Sequence, residues 1–484
     1  MSQFTQKNIN VSVEMIEKMN QPWECTVQVN SLLNQVTCKI EKQTKEYKII
    51  FPGLFDQRFK LGSMPNLKLE CNDVLYFINE MLINHISFEE TSGTISKFST
   101  NIFLEKKDEY FYRLIVPSKK KENLTIYFDD CSWYQCGNNR NANLVVLNID
   151  NKNFDLYIFE NKEVFYYVID CSEKINLEDF YKYCFSIFLS FGFMSGQLFQ
   201  TEGYFLASKD KLFNDVVSIQ YESLTDSIYS SFHPIWKNAY SFIQDGNQDD
   251  PNKFKGMTEQ EAQEINPTLN GINSSTFSKI CENALSSPDI HSAMYLMLEG
   301  STLSLQAMAS CFSVALEGIT SFIYTSNDEK LFPIKNKDTK KNIIETLKGS
   351  FEEKFSKLNQ SEKNFVAKKI DSINHPTNRD KLCKPFELPE INLNLNKADL
   401  EAIESRNRFL HGSTPRKKNH IPNSEMKPID IEMKQVYYFS LKLYFLVTSL
   451  ILKYAGFKGK VVNYPKIREG FTEIQVDEEY FREI

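Results

Sequence analysis

The chain has 484 residues, enough for roughly two to four domains of usual size, each able to hold its own apolar core. Hydrophobic residues make up 42%, charged residues 25% and aromatic residues 13%, which excludes a disordered chain. A formal net charge of −7 excludes a protein coated in positive charge, so any contact with nucleic acid has to come from a local patch.

From about residue 22 to 210, short segments rich in Val, Ile, Phe, Tyr and Thr alternate with Asn, Asp, Gly and Lys clusters, the pattern of strands joined by turns. The spacing predicts strands over 24–29, 36–51, 94–103, 110–116, 124–128, 144–149, 154–159 and 164–169, with a hairpin loop at Asp150-Asn151-Lys152-Asn153. A helix is expected near 178–190, ending where Gly192 and Gly196 turn it into a following strand. The product would be a twisted sheet or sandwich.

Residues 244–252 (QDGNQDDPN) are polar and acidic, contain Gly and Pro, and have no apolar anchor, as in an exposed connection. Beyond them the period becomes helical. Leu305, Met308, Phe312, Ala315, Ile319 and Phe322 fall at spacings of three and four and mark one face of a long helix. Further helices are expected over 276–285, 340–358, 362–373, 397–410 and 431–454, a bundle of five or six. The fold class is therefore α+β, with a β-rich N-terminal domain over 1–245, a linker over 246–270 and an all-α helical bundle over 271–484.

The stretch 436–456 has the length of a membrane span, but Lys442, Ser440 and Thr448 lie inside it, so it is expected to be a buried bundle helix. Residues 185–199 are too short to span comfortably. No apolar segment follows Lys7 and no small-residue cleavage site is visible, which predicts no secretory signal, no membrane partner and a cytoplasmic protein. Ten cysteines scattered through so long a chain read as buried thiols rather than a disulfide framework.

Lys outnumbers Arg 47 to 9, a skew that reads as coding bias and makes each Arg informative. Two of the nine sit together in Glu404-Ser405-Arg406-Asn407-Arg408-Phe409-Leu410-His411-Gly412. An Arg, a polar residue directly after it and a His after three more resembles the R-(N/H/D)-x-x-x-H motif of the HEPN ribonucleases. The context agrees: the motif closes an amphipathic helix, Gly412 stands at a capping position, and a long apolar helix follows a basic loop. Leu316-Glu317-Gly318 resembles the earlier helix of that family with its recurring Leu-Glu pair, which implies that Glu317 supports and orients Arg406.

The resemblance implies a metal-independent endoribonuclease with no cofactor. Such cleavage needs a base for the 2′-hydroxyl proton, an acid for the leaving 5′-oxygen and a cation for the phosphorane charge. His411 suits acid or base work near neutral pH, Arg406 presents a fork of donors to phosphate, and Asn407 can hold either by hydrogen bonds. The negative end of the helix dipole favours protonated His411, hence the acid role. Residues five apart on a helix point about 140° away from each other, so one copy of Arg406 and His411 does not converge. In the resembled family two copies of the motif face each other, which implies a homodimer through the HEPN domain. Arg408, Arg416, Lys417 and Lys418 are expected to track an RNA backbone beside the site.

A β-rich region ahead of such a domain also resembles the layout of ApeA-type anti-phage proteins. That implies an abortive-infection effector whose N-terminal region senses an unknown phage-derived trigger and whose helical domain cuts tRNA or other host RNA. Two alternatives stay open: a HEPN domain that binds RNA or protein without cutting, and a β-rich ligand-binding protein with a helical dimerisation domain. Under the latter, the motif would be buried or salt-bridged; in a purely structural role Arg406 would pair on the surface with Glu401 or Asp399 and His411 would cap the helix. Cys131 and Cys136 lack a second pair of metal-ligand spacing, so no metal site is expected there. His233 and His291 read as packing or surface residues. The chain has no phosphate-binding Gly-rich loop, no metalloprotease helix motif and no Ser nucleophile elbow.

Overall fold

The computed structural model describes all residues except 1–7, 29–35, 53–61, 65–66, 72–73, 88–89, 103–106, 121, 137–139, 199–200, 225, 244–255, 328–330 and 411–427. It divides into two units, one of 1–241 with 262–286 and one of 242–261 with 287–484. The first is β-rich and the second helical.

In the first unit, helix α1 (Ile9–Met19) places Ile9, Val13, Ile16 and Met19 on one stripe, and all four are buried. The stripe joins the core of six strands: β1 (Trp23–Gln28), β2 (Val36–Lys42), β3 (Tyr47–Pro52), β5 (Leu67–Cys71), β6 (Val74–Ile86) and β7 (Glu90–Thr100). These strands pair in the closed ring β1-β2-β3-β7-β6-β5, with the short β4 (Gly62–Met64) added to β6. The sheet is thus closed into a barrel, a closure that the expected twisted sheet or sandwich did not specify. β6 has 13 residues and is long enough to pair with both neighbours, and its register shifts against β7 supply the bends that closure needs.

β7 also pairs with β16 (Val216–Ser223), which carries the sheet out of the ring through β15 (Glu202–Ser208), β8 (Glu109–Ser118), β12 (Val164–Cys171), β11 (Lys152–Asn161), β10 (Arg140–Ile149) and β9 (Ser132–Cys136). Every ladder in this sheet is antiparallel. The β10–β11 hairpin turns on Asp150 and Asn151 alone, both at positive φ, with Ile149 opposite Lys152. The four-residue loop expected there is therefore shorter, because Lys152 and Asn153 belong to β11.

Other boundaries also shift. The expected strand 36–51 is two strands, split by a turn at Gln43–Glu46, and the expected strand 124–128 contains a 3₁₀ turn at Leu124–Ile126. There Asn123 accepts a hydrogen bond from the Thr125 amide at 3.1 Å, a local cap that competes with extended pairing. Helix α2 (Leu177–Ser195) ends at Gly196, whose left-handed φ of 75° lets its amide bond to the Gly192 carbonyl at 2.8 Å. A Cβ on Gly192 would stand 3.1 Å from the Gln197 carbonyl oxygen, a tight approach that glycine avoids as the chain leaves the helix.

The connection assigned to 246–270 is partly structured: of its described residues, Glu259–Ile265 form helix α3. Helix α4 (Ser274–Ser286), expected in the helical bundle, belongs to the first unit. It packs on α2 and β10, with Ser186 donating to the Cys281 carbonyl at 2.6 Å and Ser278 accepting from the Asn148 amide at 3.0 Å. Its apolar face is thus used against the sheet.

The second unit contains α5 (Pro288–Gly300), α6 (Leu305–Ser326), α7 (Lys337–Lys354), α8 (Gln360–Asp371), α9 (Asn378–Cys383), α10 (Lys397–Leu410) and α11 (Pro428–Tyr454). A two-stranded ladder, Lys460–Val462 with Phe481–Glu483, shows that it is not all-α. Helices 305–326 and 429–454 are long and apolar enough to cross a membrane, but 94% of the apolar window of the latter is buried inside the protein. α11 thus serves as the core helix, as its composition suggested.

Candidate active site

α10 begins with reciprocal caps: Asn396 accepts from the Asp399 amide at 2.9 Å, and Asp399 accepts from the Asn396 amide at 3.1 Å. From there Asp399, Ala402, Ile403, Arg406 and Phe409 follow the helical period and are all buried. The inner face of the motif helix therefore carries two opposite charges among its apolar residues. Burying either alone would cost several kcal/mol, so each must find a partner.

Arg406 finds Glu317. Its Nη1 donates to Glu317 Oε2 at 3.1 Å, across the contact between α10 and α6. The burial is one-sided: the Arg406 side chain is 3% exposed, whereas that of Glu317 is 54% exposed. The Nε of Arg406 is shielded from solvent and has no hydrogen-bond partner among the described residues. A buried cationic donor without an acceptor is costly, and such a donor can be satisfied by an anionic ligand. Arg406 does not pair with Asp399 or Glu401 on the surface.

Asp399 is held by a different set. Arg482 donates to its two carboxylate oxygens at 3.0 Å each, and Lys442 lies 3.3 Å from Oδ1. Glu478 completes the cluster, bonding to Lys442, to Arg482 at 3.3 Å and to Asn396 at 3.0 Å. Burial pushes the Asp399 carboxyl up, but Lys442 and Arg482 outweigh it and hold the group below the usual carboxylate range. Two cations and two carboxylates thus fasten the start of the motif helix to α11 and to the C-terminal segment. Lys442, the charge that interrupts the apolar run, was the only trace of this cluster in the sequence; its acidic partners are remote along the chain.

Arg408 is exposed, on a different face of α10 from Arg406. Asn407 lies on α10, but its side chain is outside the described residues. His411, Gly412, Arg416, Lys417 and Lys418 also lie outside them. The structure therefore brings together Arg406 and Glu317 and leaves Arg408 apart. Among the described residues, no three His, Cys, Asp or Glu side chains are grouped as a metal site. Nine described cysteines are free thiols, six of them buried; burial pushes Cys131 up to about 12, and the Cys136 side chain is outside the described residues.

His233 is buried in the first unit, its ring 4.3 Å from that of Trp236, and burial followed by the Lys120 charge lowers it to about 3. It belongs to packing. Beside α1 lies a cavity of about 420 Å³ lined by Met15, Met19, Trp23, Tyr76, Val216 and Ile219, with Lys18 as the one charged lining residue among the described residues. Trp23 and Tyr76 stack there at 4.2 Å. No protein-family model, curated protein or solved structure matches this chain.

Proposed function

We propose that the second unit is a metal-independent HEPN-type endoribonuclease with Arg406, Asn407 and His411 as its catalytic set. The observation that carries this is the placement of Arg406: the first residue of the motif is turned inward, held through one nitrogen by Glu317, and its buried Nε has no hydrogen-bond partner among the described residues. Held in this way, a guanidinium has little rotamer entropy left to lose on meeting a phosphate. His411, one residue beyond α10, supplies proton transfer. The 2′-oxygen attacks the adjacent phosphorus, the bond to the 5′-oxygen breaks, and the proton taken from the 2′-hydroxyl is matched by one given to the leaving oxygen. The products are a 2′,3′-cyclic phosphate and a 5′-hydroxyl end.

In this proposal the enzyme works in the cytoplasm as a homodimer, two motifs sharing the acid and base roles. It acts as an anti-phage abortive-infection effector, and tRNA or other host RNA is its substrate. The first unit is the sensor of a phage-derived trigger; its apolar cavity beside α1, within the size range of small-ligand sites, favours a ligand-responsive role.

The test is induction of the parent and of His411→Ala in a bacterial host, with and without phage, at matched protein levels. Growth arrest or protection with RNA fragments ending in 2′,3′-cyclic phosphate, lost in His411→Ala, is the expected result. Identical RNA and growth in the two strains, both proteins being folded, would remove His411 from catalysis.

A further inference from the structure

Between the helix that carries Glu317 and the helix that carries Arg406, the chain forms a pair of helices, α7 and α8, in which no residue is buried. A helical pair held only by its own contacts and by i,i+4 pairs would ordinarily be polar all round. This one is not. Phe355 is 53% exposed at the end of α7 and Phe365 is 64% exposed on α8. Phe355 stacks on Phe351 at 5.5 Å, and Lys369 lies over the Phe365 ring at 5.7 Å, so both rings are propped outward by neighbours.

The charge around these rings is mixed but leaves several lysines without an ion pair. From Glu352 to Asp371 there are five lysines, at 354, 357, 363, 368 and 369, against Glu352, Glu353, Glu362 and Asp371, the last paired with Lys348 at 2.6 Å. Glu362 is committed to the capping box of α8, accepting from the Asn359 amide at 2.9 Å. Among the described residues, Lys354, Lys357, Lys363 and Lys368 make no ion pair. Four lysines without an ion pair among the described residues thus stand on the same segment as two exposed aromatic rings. Cations that follow a backbone and rings that accept bases are what single-stranded nucleic acid needs.

We propose that the α7–α8 pair is a binding arm for single-stranded RNA, with Phe355 and Phe365 stacking on bases and Lys354, Lys357, Lys368 and Lys369 contacting phosphates. The arm rests on the ribonuclease proposal for its role in presenting substrate, but its RNA affinity is measurable without cleavage. Two properties follow. The lysine contacts make affinity salt-dependent, by about 0.7 in the log–log slope for each phosphate neutralised on a single strand. The stacking contacts are independent of salt and tolerant of base identity.

The experiment uses the full chain carrying His411→Ala, with a fluorescein-labelled 20-nucleotide oligouridylate followed by anisotropy across a range of NaCl concentrations. Lys354→Ser/Lys357→Ser/Lys368→Ser/Lys369→Ser is expected to weaken binding at least about tenfold at low salt and to flatten the slope by roughly 2 to 3. Phe355→Ser/Phe365→Ser is expected to weaken binding about tenfold and leave the slope unchanged. All six side chains are exposed, and circular dichroism checks that each variant folds. Parent-like affinity in both variants, no oligouridylate binding by the parent, or a change of oligomeric state in place of a change in RNA affinity would each overturn the arm. In the host assay, cleavage that depends on His411 while arm variants bind as the parent removes the arm alone. RNA binding through the arm with cleavage indifferent to His411 removes the nuclease alone.

Discussion

Arg406 and Glu317 lie 89 residues apart in the chain and 3.1 Å apart in space, the first almost wholly buried and the second half-exposed. The geometry makes Glu317 the holder and Arg406 the held group. Glu317→Ala leaves the guanidinium without its carboxylate and is expected to cost about 1 to 3 kcal/mol of stability. Adding Arg406→Met removes the stranded charge and recovers part of that loss, so the double variant is more stable than the sum of the two singles. Urea unfolding of the four proteins measures the coupling; strict additivity would mean that the contact carries no net interaction.

The cluster beneath the motif helix behaves differently because it is enclosed. Lys442 is fully buried between Asp399 and Glu478. Lys442→Met leaves two carboxylates facing Arg482 alone and is expected to destabilise the second unit by about 3 to 5 kcal/mol. Lys442→Met/Glu478→Gln restores one charge of each sign and recovers a large part of that cost. The comparison is made by thermal melts; equal melting temperatures for parent and Lys442→Met would show that the ion pairs do not hold α10 and α11 together.

Two groups set opposite ends of the acid response. His233 has its pKa lowered to about 3 by burial and Lys120, so between about pH 6.5 and 3 the unfolded chain binds a proton that the native state refuses. Stability therefore falls with pH across this window, by about 1.4 kcal/mol per pH unit for this one proton. Asp399 is depressed, so its contribution is fully present above the ordinary carboxylate pKa of about 4 and is lost only as the pH drops below it. His233→Gln should flatten the dependence from pH 6.5 to 5 and leave the loss below pH 4 in place. A melting profile of unchanged slope in this variant would contradict the assignment.

The proposed cleft between two facing motifs would require a dimer. Sedimentation velocity is expected to give twice the 56.4 kDa chain mass for the parent and for His411→Ala. A chain that is monomeric at all concentrations could not bring two His411 residues to one cleft.

Much of this protein was legible in its sequence because local physics governs those features. Period-two segments gave strands, and the three-and-four spacing around Phe312 gave α6. The run containing Lys442 gave a buried helix, since a lysine and two hydroxyl-bearing residues suit a protein core better than lipid. The helix 288–300 lies outside the expected helices, although Ser287 caps it and Pro288 occupies its first turn, a local start signal. Position 124–128 was misjudged because Asn123 caps a turn that apolar content alone does not reveal.

What the sequence determined by itself was therefore the division into a β-rich and a helical part and the helix that carries Arg406 and ends at Leu410; Glu317 as that arginine's companion came only from the family resemblance. What only the tertiary structure decided was closure of β6 onto both β5 and β7, the placing of α4 against the sheet, the depth at which Arg406 is held, and the Asp399–Lys442–Glu478–Arg482 cluster. The physical reason is range: propensity, capping and periodicity act over a few residues. Strand closure, and the pairing of a buried charge with a carboxylate tens of residues away, are fixed only when the whole chain settles which groups lose water together.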